Sequence, residues 1–223
     1  MKKLKNLVLL FPSFGTGGVT NNLINFTNFC IDKKIKIYLI SDISNKDKKL
    51  FKTRFIKFVN IKSKFFVKKE NRFVSSFLSI FKLFELFKYL SSKNTIVLSF
   101  QSHILPIIIC KFFFQKIIIR NSEDPLEATK FADNKFFGYI ALILKFLFYR
   151  FSSGIITNSF NSKKSLDKLV KNKTKLIFNP YLKNIYNYRK IKRQNFILSV
   201  GRLCKQKNQS LIIKAFNIFS KKY

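Results

Sequence analysis

Short apolar runs alternating with stretches of helical period dominate the first 180 residues, and that alternation leaves few folds open. Residues 7–11, 35–41, 55–61, 95–99, 117–120 and 154–157 are each four to seven residues long and rich in Ile, Leu, Val and Phe. Continuously apolar runs of this length suit parallel strands buried on both faces. Between them, residues 19–30, 73–90, 136–150 and 161–171 read as helices. In 73–90, Phe77, Leu78, Phe81, Phe84 and Leu86 make a wide apolar face against Ser75, Ser79 and Lys82. Asn158 or Ser159 can cap the helix that starts at 161, and Asn179-Pro180 marks a turn after the run 175–178. Strands alternating with helices predict the α/β class, with a doubly wound parallel sheet. The chain shows no internal repeat.

A second unit follows. Residues 181–194 are polar and basic with scattered Tyr, the composition of a linker. Another apolar run, 196–200, reads as a strand. Gly201, Arg202 and Lys207 come next, then Leu211, Ile212, Ala215 and Phe216 at helical spacing. Gly201 permits a tight turn, and the two cations stand at the start of a helix, where anions are attracted. The expected organisation is a domain over 1–180, a linker over 181–195 and the start of a second domain over 196–223. Taken alone, the last segment is equally a strand, a turn and a solvated basic helix start.

The 223 residues carry a net charge of +34, and this has two readings. An anionic partner is one: nucleic acid, an acidic membrane face or a phosphorylated substrate. The other is codon composition, since Lys, Asn, Ile and Phe are abundant while Ala, Gly and Trp are scarce. Only seven of the 44 cations are Arg, whereas recognition of nucleic acid favours the Arg fork. The aromatics lie mostly in apolar runs and the cations spread along the whole chain, a pattern that argues against a nucleic-acid surface. Cys30, Cys110 and Cys204 form no CxxC pair and are odd in number, which fits neither a metal site nor a disulfide framework and suits a reducing cytoplasm. The N-terminal run is short and ends at Pro12 without a small-residue cleavage site, so it reads as a first strand rather than a signal peptide. Segments 104–119 and 136–151 are apolar but are broken by Lys111, Lys116 and Lys145, too soon for a membrane span.

Candidate functional residues cluster after strands. Gly15-Thr16-Gly17-Gly18 joins the first strand to the first helix, where glycines let a ligand approach a helix N-terminus. Gly15 and Gly17 match the first two positions of a dinucleotide fingerprint, but Thr20 stands where the third glycine belongs, and Asp42 could mimic the ribose-binding acid. The loop alone leaves both a nicotinamide enzyme and a structural turn open. His103, the single histidine, follows the strand 95–99 and can serve as a surface cap or as a partner for hydroxyls. Arg120 at a strand end suits an anion, or pairing with Glu123 or Asp124.

The stretch Val-Gly-Arg-Leu from Val200, with Lys207, Leu211, Ile212, Ala215 and Phe216, resembles the V-G-R-L-x-x-x-K-x-x-x-x-L-I-x-A-F signature of family 4 glycosyltransferases, retaining enzymes of the GT-B fold. The glycine loop, Ser99-Phe100, Ile117 to Arg120, Ile155 to Ser159 and Ile177 to Pro180 are similar to segments of that family's first domain, in order along the chain. The resemblance implies a Rossmann-like acceptor-side domain followed by the first strand, loop and helix of a nucleotide-sugar domain. It implies metal-independent retaining transfer without a cofactor, from a nucleotide-sugar donor to a glycan or lipid-linked acceptor. Arg202 and Lys207 would stabilise the departing phosphate as catalytic residues, and Gly201 would shape their loop. Gly17 and Gly18 would lie beside the donor phosphates or the acceptor, His103 would contact sugar and Arg120 an anion. The family's Glu-containing donor motif does not occur within 1–223, so these residues alone are expected to show no appreciable transfer. The expected location is the cytoplasm, peripheral on the anionic inner face of the membrane, in the synthesis of surface polysaccharide or glycan.

Overall fold

The structure, a computed structural model, describes residues 4–52, 54–61, 72–132, 134–170, 173–179, 196–201 and 208–222. The chain divides into two compact units, Met1–Tyr181 and Leu182–Tyr223.

The first unit is built on seven strands: β1 (Asn6–Leu10), β2 (Lys36–Ser41), β3 (Ile56–Asn60), β4 (Thr95–Ser99), β5 (Lys116–Asn121), β6 (Gly154–Thr157) and β7 (Thr174–Leu176). They form one sheet in the order β3-β2-β1-β4-β5-β6-β7, every pair parallel. The helices are α1 (Gly18–Asp32), α2 (Asn45–Lys48), α3 (Arg72–Phe87), α4 (Ile104–Phe112), α5 (Pro125–Lys130), α6 (Lys135–Tyr149) and α7 (Phe160–Leu169). The apolar N-terminal run thus becomes a central strand: Leu9 pairs with Leu39 on one side and Leu98 on the other.

Alternation along β1 sends its side chains into two cores. Leu7, Leu9 and Phe11 pack with Leu23, Cys30 and Ile31 of α1 and with Phe51. Val8 and Leu10 pack on the opposite side with Leu83 and Leu86 of α3, Ile107 and Cys110 of α4, Tyr149 of α6 and Leu166 of α7. Cys30 and Cys110 are buried free thiols, and burial raises both above the ordinary thiol range.

Helices α2, α4 and α5 have no counterpart in the sequence reading, and one expected strand does not form. Residues 104–112 form α4, although their Ile- and Leu-rich sequence carries no polar stripe to give a helical period. The connection between parallel neighbours β4 and β5 demands a crossover, and a helix supplies it. Pro106 is accommodated in the first turn, where its missing N–H has no intrahelical partner to lose. In the second unit, residues 196–200 do not form the expected strand. They pair with no strand among the described residues and are exposed. A single strand leaves its N–H and C=O groups to water and buries little apolar surface, so it is not stable by itself. The helix expected after it is present as α8 (Gln209–Lys222), with Leu211, Ile213 and Phe216 exposed. The linker 181–195 lies outside the described residues. Among the described residues, no helix is long and apolar enough to cross a membrane.

Candidate functional site

Chain order reverses between β1 and β4: from β1 the chain moves outward to β2 and β3, then returns to the other flank of β1. At such a switch point the loops leaving the two central strands part in opposite directions and open a crevice at the carboxyl edge of the sheet. Four sequence-predicted residues lie along that edge. Gly17 and Gly18 follow β1, His103 follows β4, and Arg120 is the penultimate residue of β5.

The glycine loop is held from three sides. Asp42, just past β2, accepts the Phe14 N–H on Oδ1 at 2.5 Å. Gln101, just past β4, accepts the Ser13 N–H at 3.2 Å. The Thr20 hydroxyl donates to the Gly15 carbonyl. Gly17 is the N-cap of α1 at φ 145° and ψ 178°, and no side chain caps that helix. This backbone conformation is essentially restricted to glycine. A Cβ at Gly15, Gly17 or Gly18 would meet nothing within 4 Å, so the loop has open space above it. The first N–H groups of α1 have no intrahelical partners, and they face this uncapped end. Gly17→Ala is expected to destabilise the domain by about 1–3 kcal/mol through backbone strain, whereas Gly18→Ala, at ordinary φ, should lie within about 0.5 kcal/mol of the parent. Urea unfolding of the two variants checks this, and equal stability would remove the conformational requirement.

His103 sits in a defined network. Ser99 Oγ donates to the Gln101 carbonyl at 2.9 Å and lies 2.9 Å from His103 Nδ1. A hydroxyl has one proton to give, so the network assigns the Nδ1 proton to His103, donated to Ser99, and leaves Nε2 as an acceptor. The ring stands edge-on to Tyr149, with centroids 6.0 Å apart, and the Tyr149 hydroxyl donates to Asn121 Oδ1 at 3.4 Å. Burial, with the charges of Lys145 and Arg120 adding, pushes the His103 pKa down to about 3. His103 is therefore a neutral hydrogen-bond acceptor at physiological pH, suited to a hydroxyl.

That depression has a consequence for stability. The unfolded imidazole titrates near 6.5, so below that pH the unfolded chain binds a proton that the folded chain refuses. Stability should fall as pH drops from about 6.5 toward the folded value. Imidazole is the side chain whose ordinary titration falls in this range, and His103 is the single histidine, so the slope between about pH 6.5 and 5 reports this group. His103→Gln is expected to flatten it in denaturant titrations; an unchanged slope would show that the folded pKa is not depressed.

Arg120 is buried and forked. Nη1 donates to Ser122 Oγ at 2.8 Å, Nη2 donates to Asn179 Oδ1 at 2.5 Å, and the guanidinium lies 5.3 Å from the Phe100 ring centroid. Phe100 touches Phe11 edge-on at 6.4 Å, and Phe11 touches Phe14 at 5.8 Å. The carboxyl ends of β5, β4 and β1 are thus linked by one aromatic path. Asp124, a candidate partner for Arg120, instead caps α5 by accepting the Leu126 and Glu127 N–H groups, and accepts the Ser165 hydroxyl. Ser159 is the cap of α7, accepting the Ser162 N–H at 3.2 Å.

Sequence reasoning did not find the roles of Asp42 and Gln101 as anchors of the glycine loop. Asp42 was visible as an acid closing a strand; its partner lies 28 residues away and only the sheet order brings them together. Gly201 is exposed in the second unit. Arg202 and Lys207 lie outside the described residues.

No family model matches the chain. An uncharacterized glycosyltransferase of Methanocaldococcus jannaschii is 30% identical over 139 residues, covering 54% of this chain and 34% of that protein. Among solved structures, HepE of Anabaena in complex with UDP-glucose superposes with a TM-score of 0.54 at 14% identity, over 79% of this chain and 44% of that one. UGT2 of Phytolacca americana, complexed with UDP-2-fluoro-glucose and pterostilbene, gives 0.55 at 9% identity, over 78% and 52%. The chain spans about a third of the archaeal relative and under half of HepE. It is homologous to a glycosyltransferase and has the Rossmann-like α/β fold of these GT-B neighbours.

Proposed function

We propose that this chain is the acceptor-side part of a retaining, family 4 glycosyltransferase that moves a hexose from a nucleotide-sugar donor to a glycan or lipid-linked acceptor. The observation that carries the reading is the homology to the archaeal glycosyltransferase. The signature Gly201, Arg202, Lys207, Leu211, Ile212, Ala215, Phe216 at its family spacing supports it, as do the UDP-sugar ligands of the structural neighbours.

In this reading the bond between the anomeric carbon and the phosphate oxygen breaks heterolytically. The electron pair leaves with the phosphate, positive charge develops on the sugar, and the acceptor oxygen bonds to the anomeric carbon as its proton passes to the departing phosphate oxygen. Arg202 and Lys207, which follow Gly201 in the sequence, stabilise the leaving phosphate. The uncapped start of α1 at Gly17 and Gly18 presents N–H groups to phosphate or acceptor oxygens. Neutral His103 accepts a hydrogen bond from a sugar hydroxyl, and Arg120 adds positive charge at the same edge. No metal or cofactor enters this scheme. The protein works in surface polysaccharide or glycan synthesis, in the cytoplasm and peripheral to the inner face of the membrane.

The nicotinamide alternative needs Asp42 on a ribose, but its Oδ1 holds the Phe14 N–H at the base of the glycine loop, which favours the transferase reading. The nucleic-acid alternative draws only on net charge. Transfer of labelled sugar from a panel of UDP-, GDP- and dTDP-sugars to cellular lipid and glycan fractions tests the proposal in the full-length protein. Label in an acceptor, with the nucleotide released, is the expected result. Turnover without an acceptor product, such as interconversion of the donor sugar, would overturn it.

A further inference from the structure

Helix α6 is the least explained element of the fold. Its 15 residues, from Lys135 to Tyr149, carry two charges, Lys135 and Lys145, and the rest are apolar or glycine. A helix that is hydrophobic nearly all round belongs in a core. Yet Tyr149 is its single buried residue, and Phe136, Phe137 and Ile143 are exposed. The same surface continues across its neighbours. Phe77 and Phe81, one turn apart on α3, stack edge-on at 5.3 Å with both rings exposed, and Phe112 at the end of α4 is 75% exposed. Helices α3, α4 and α6 pack side by side on one face of the sheet, over the core of Val8 and Leu10. An apolar surface of three helices exceeds what a soluble monomer ordinarily exposes without a partner.

The charges around this face select the occupant. Residues 74–90, 104–112 and 135–150 contain Lys82, Lys88, Lys111, Lys135, Lys145 and Arg150 against the single carboxylate Glu85. Lys88 reaches over Phe84, and Arg150 lies over Phe151 at 5.1 Å, so the cations edge the aromatics with their stems along apolar surface. The opposite face is more mixed: helix α1 contains no Lys or Arg and ends in Asp32, exposing Asn21 beside Phe26 and Phe29, and the lysines that follow it, Lys33 over Phe29 and Lys46, Lys48, Lys49 and Lys52 around α2, stand with Asp32 and Asp47. The faces differ in amount: α6 alone exposes Phe136, Phe137, Tyr139 and Phe146, against Phe26 and Phe29 on α1.

We infer that the α3–α4–α6 face is a docking surface for an anionic lipid bilayer, its aromatics seated at the headgroup–acyl boundary and its cations on lipid phosphates. This gives the peripheral location proposed above a specific surface. It rests on no step of sugar transfer, so vesicle binding and transfer fail independently. A protein surface would need acidic groups to meet these cations and apolar groups to meet the rings; a bilayer of acidic phospholipid presents both in the required layers.

The chain contains no Trp, so a single introduced Trp is an unmixed reporter. Tyr139 on α6 and Phe29 on α1 are 58% and 59% exposed, a matched pair on opposite faces. With phosphatidylglycerol vesicles at low salt, Tyr139→Trp is expected to shift its emission to the blue and Phe29→Trp to stay unshifted. High salt should weaken binding, and phosphatidylcholine vesicles should bind at least tenfold more weakly. Replacing Phe136, Phe137 and Ile143 by Ser, all exposed positions, should reduce vesicle partition at least tenfold with the circular dichroism spectrum retained. Three outcomes overturn the inference. One is a protein that stays in the supernatant with anionic vesicles at low salt. Another is equal shifts at both reporters, which leaves only delocalised charge attraction. The third is a Tyr139→Trp emission already blue-shifted without lipid in a dimer that the triple substitution dissociates, which assigns the face to a second copy.

Discussion

Arg202→Ala is expected to lower the kcat of sugar transfer about 10²-fold or more in the full-length protein, with the donor KM moving much less. The argument is one of charge. Retaining transfer through heterolysis puts positive charge on the sugar and negative charge on the departing phosphate only as the bond breaks. A guanidinium aimed at the phosphate therefore gains more in the transition state than in the bound ground state, and interactions of that kind appear in kcat. Tenfold in rate is about 1.4 kcal/mol, so the expected loss is near 3 kcal/mol, the scale found when one preorganised stabiliser of developing charge is removed. Lys207→Ala should act in the same direction. In the proposed reading both charges serve one leaving group, so the two losses should not add. Steady-state kinetics at saturating acceptor separates the cases. An unchanged kcat removes Arg202 from the chemical step, and a raised KM at constant kcat makes it a ground-state contact.

How far the sequence revealed the site depends on the range of the interactions that make it. The strands were legible because burial on both faces leaves an unbroken apolar run, and β4 and β6 begin and end where the sequence places them. The glycine loop was legible because a tight strand-to-helix turn needs glycine, and Gly17 does adopt a φ that other residues avoid. Helix α4 was not, since Ile-Leu-Pro-Ile-Ile-Ile is rich in β-branched residues and has no polar stripe; what makes it helical is the parallel connection it serves. The partners of Arg120 were equally hidden. Asn179 is 59 residues away, and the fork forms because β7 is added at the sheet edge beyond β6. Asp124 reads from sequence as a candidate ion-pair partner of Arg120, although the cap it makes to Leu126 and Glu127, two and three residues on, is short enough in range to be legible. The strand at 196–200 failed for the opposite reason. Its pattern is that of a buried parallel strand, but a pattern states only what a segment needs, and no partner strand for it stands among the described residues.

Leu9→Ala is expected to destabilise the first unit by about 3–5 kcal/mol, the upper range for a leucine truncated in a core that cannot collapse around the loss. Leu9 is fully buried in β1 and has backbone neighbours on both sides, Leu39 in β2 and Leu98 in β4. Its side chain packs in the cluster with Leu7, Leu23, Ile37 and Phe51, between the middle of the sheet and α1. Relaxation into the cavity would require the central strand or its two neighbours to move, and those strands carry the site: β1 leads to the glycine loop, and β4 leads to Gln101 and His103. For a unit of this size the loss corresponds to a fall in Tm of roughly 6–20 °C. Phe136→Ala, a larger truncation on the exposed α6 face, provides the contrast. It removes a ring that is 69% exposed and should change stability by no more than about 0.5 kcal/mol. Urea unfolding followed by circular dichroism compares the two directly. If Phe136→Ala cost as much as Leu9→Ala without lipid present, the α6 face would be buried in the protein's own solution state. The bilayer would then have no exposed surface to dock on, and the core would extend beyond the two clusters that flank the sheet.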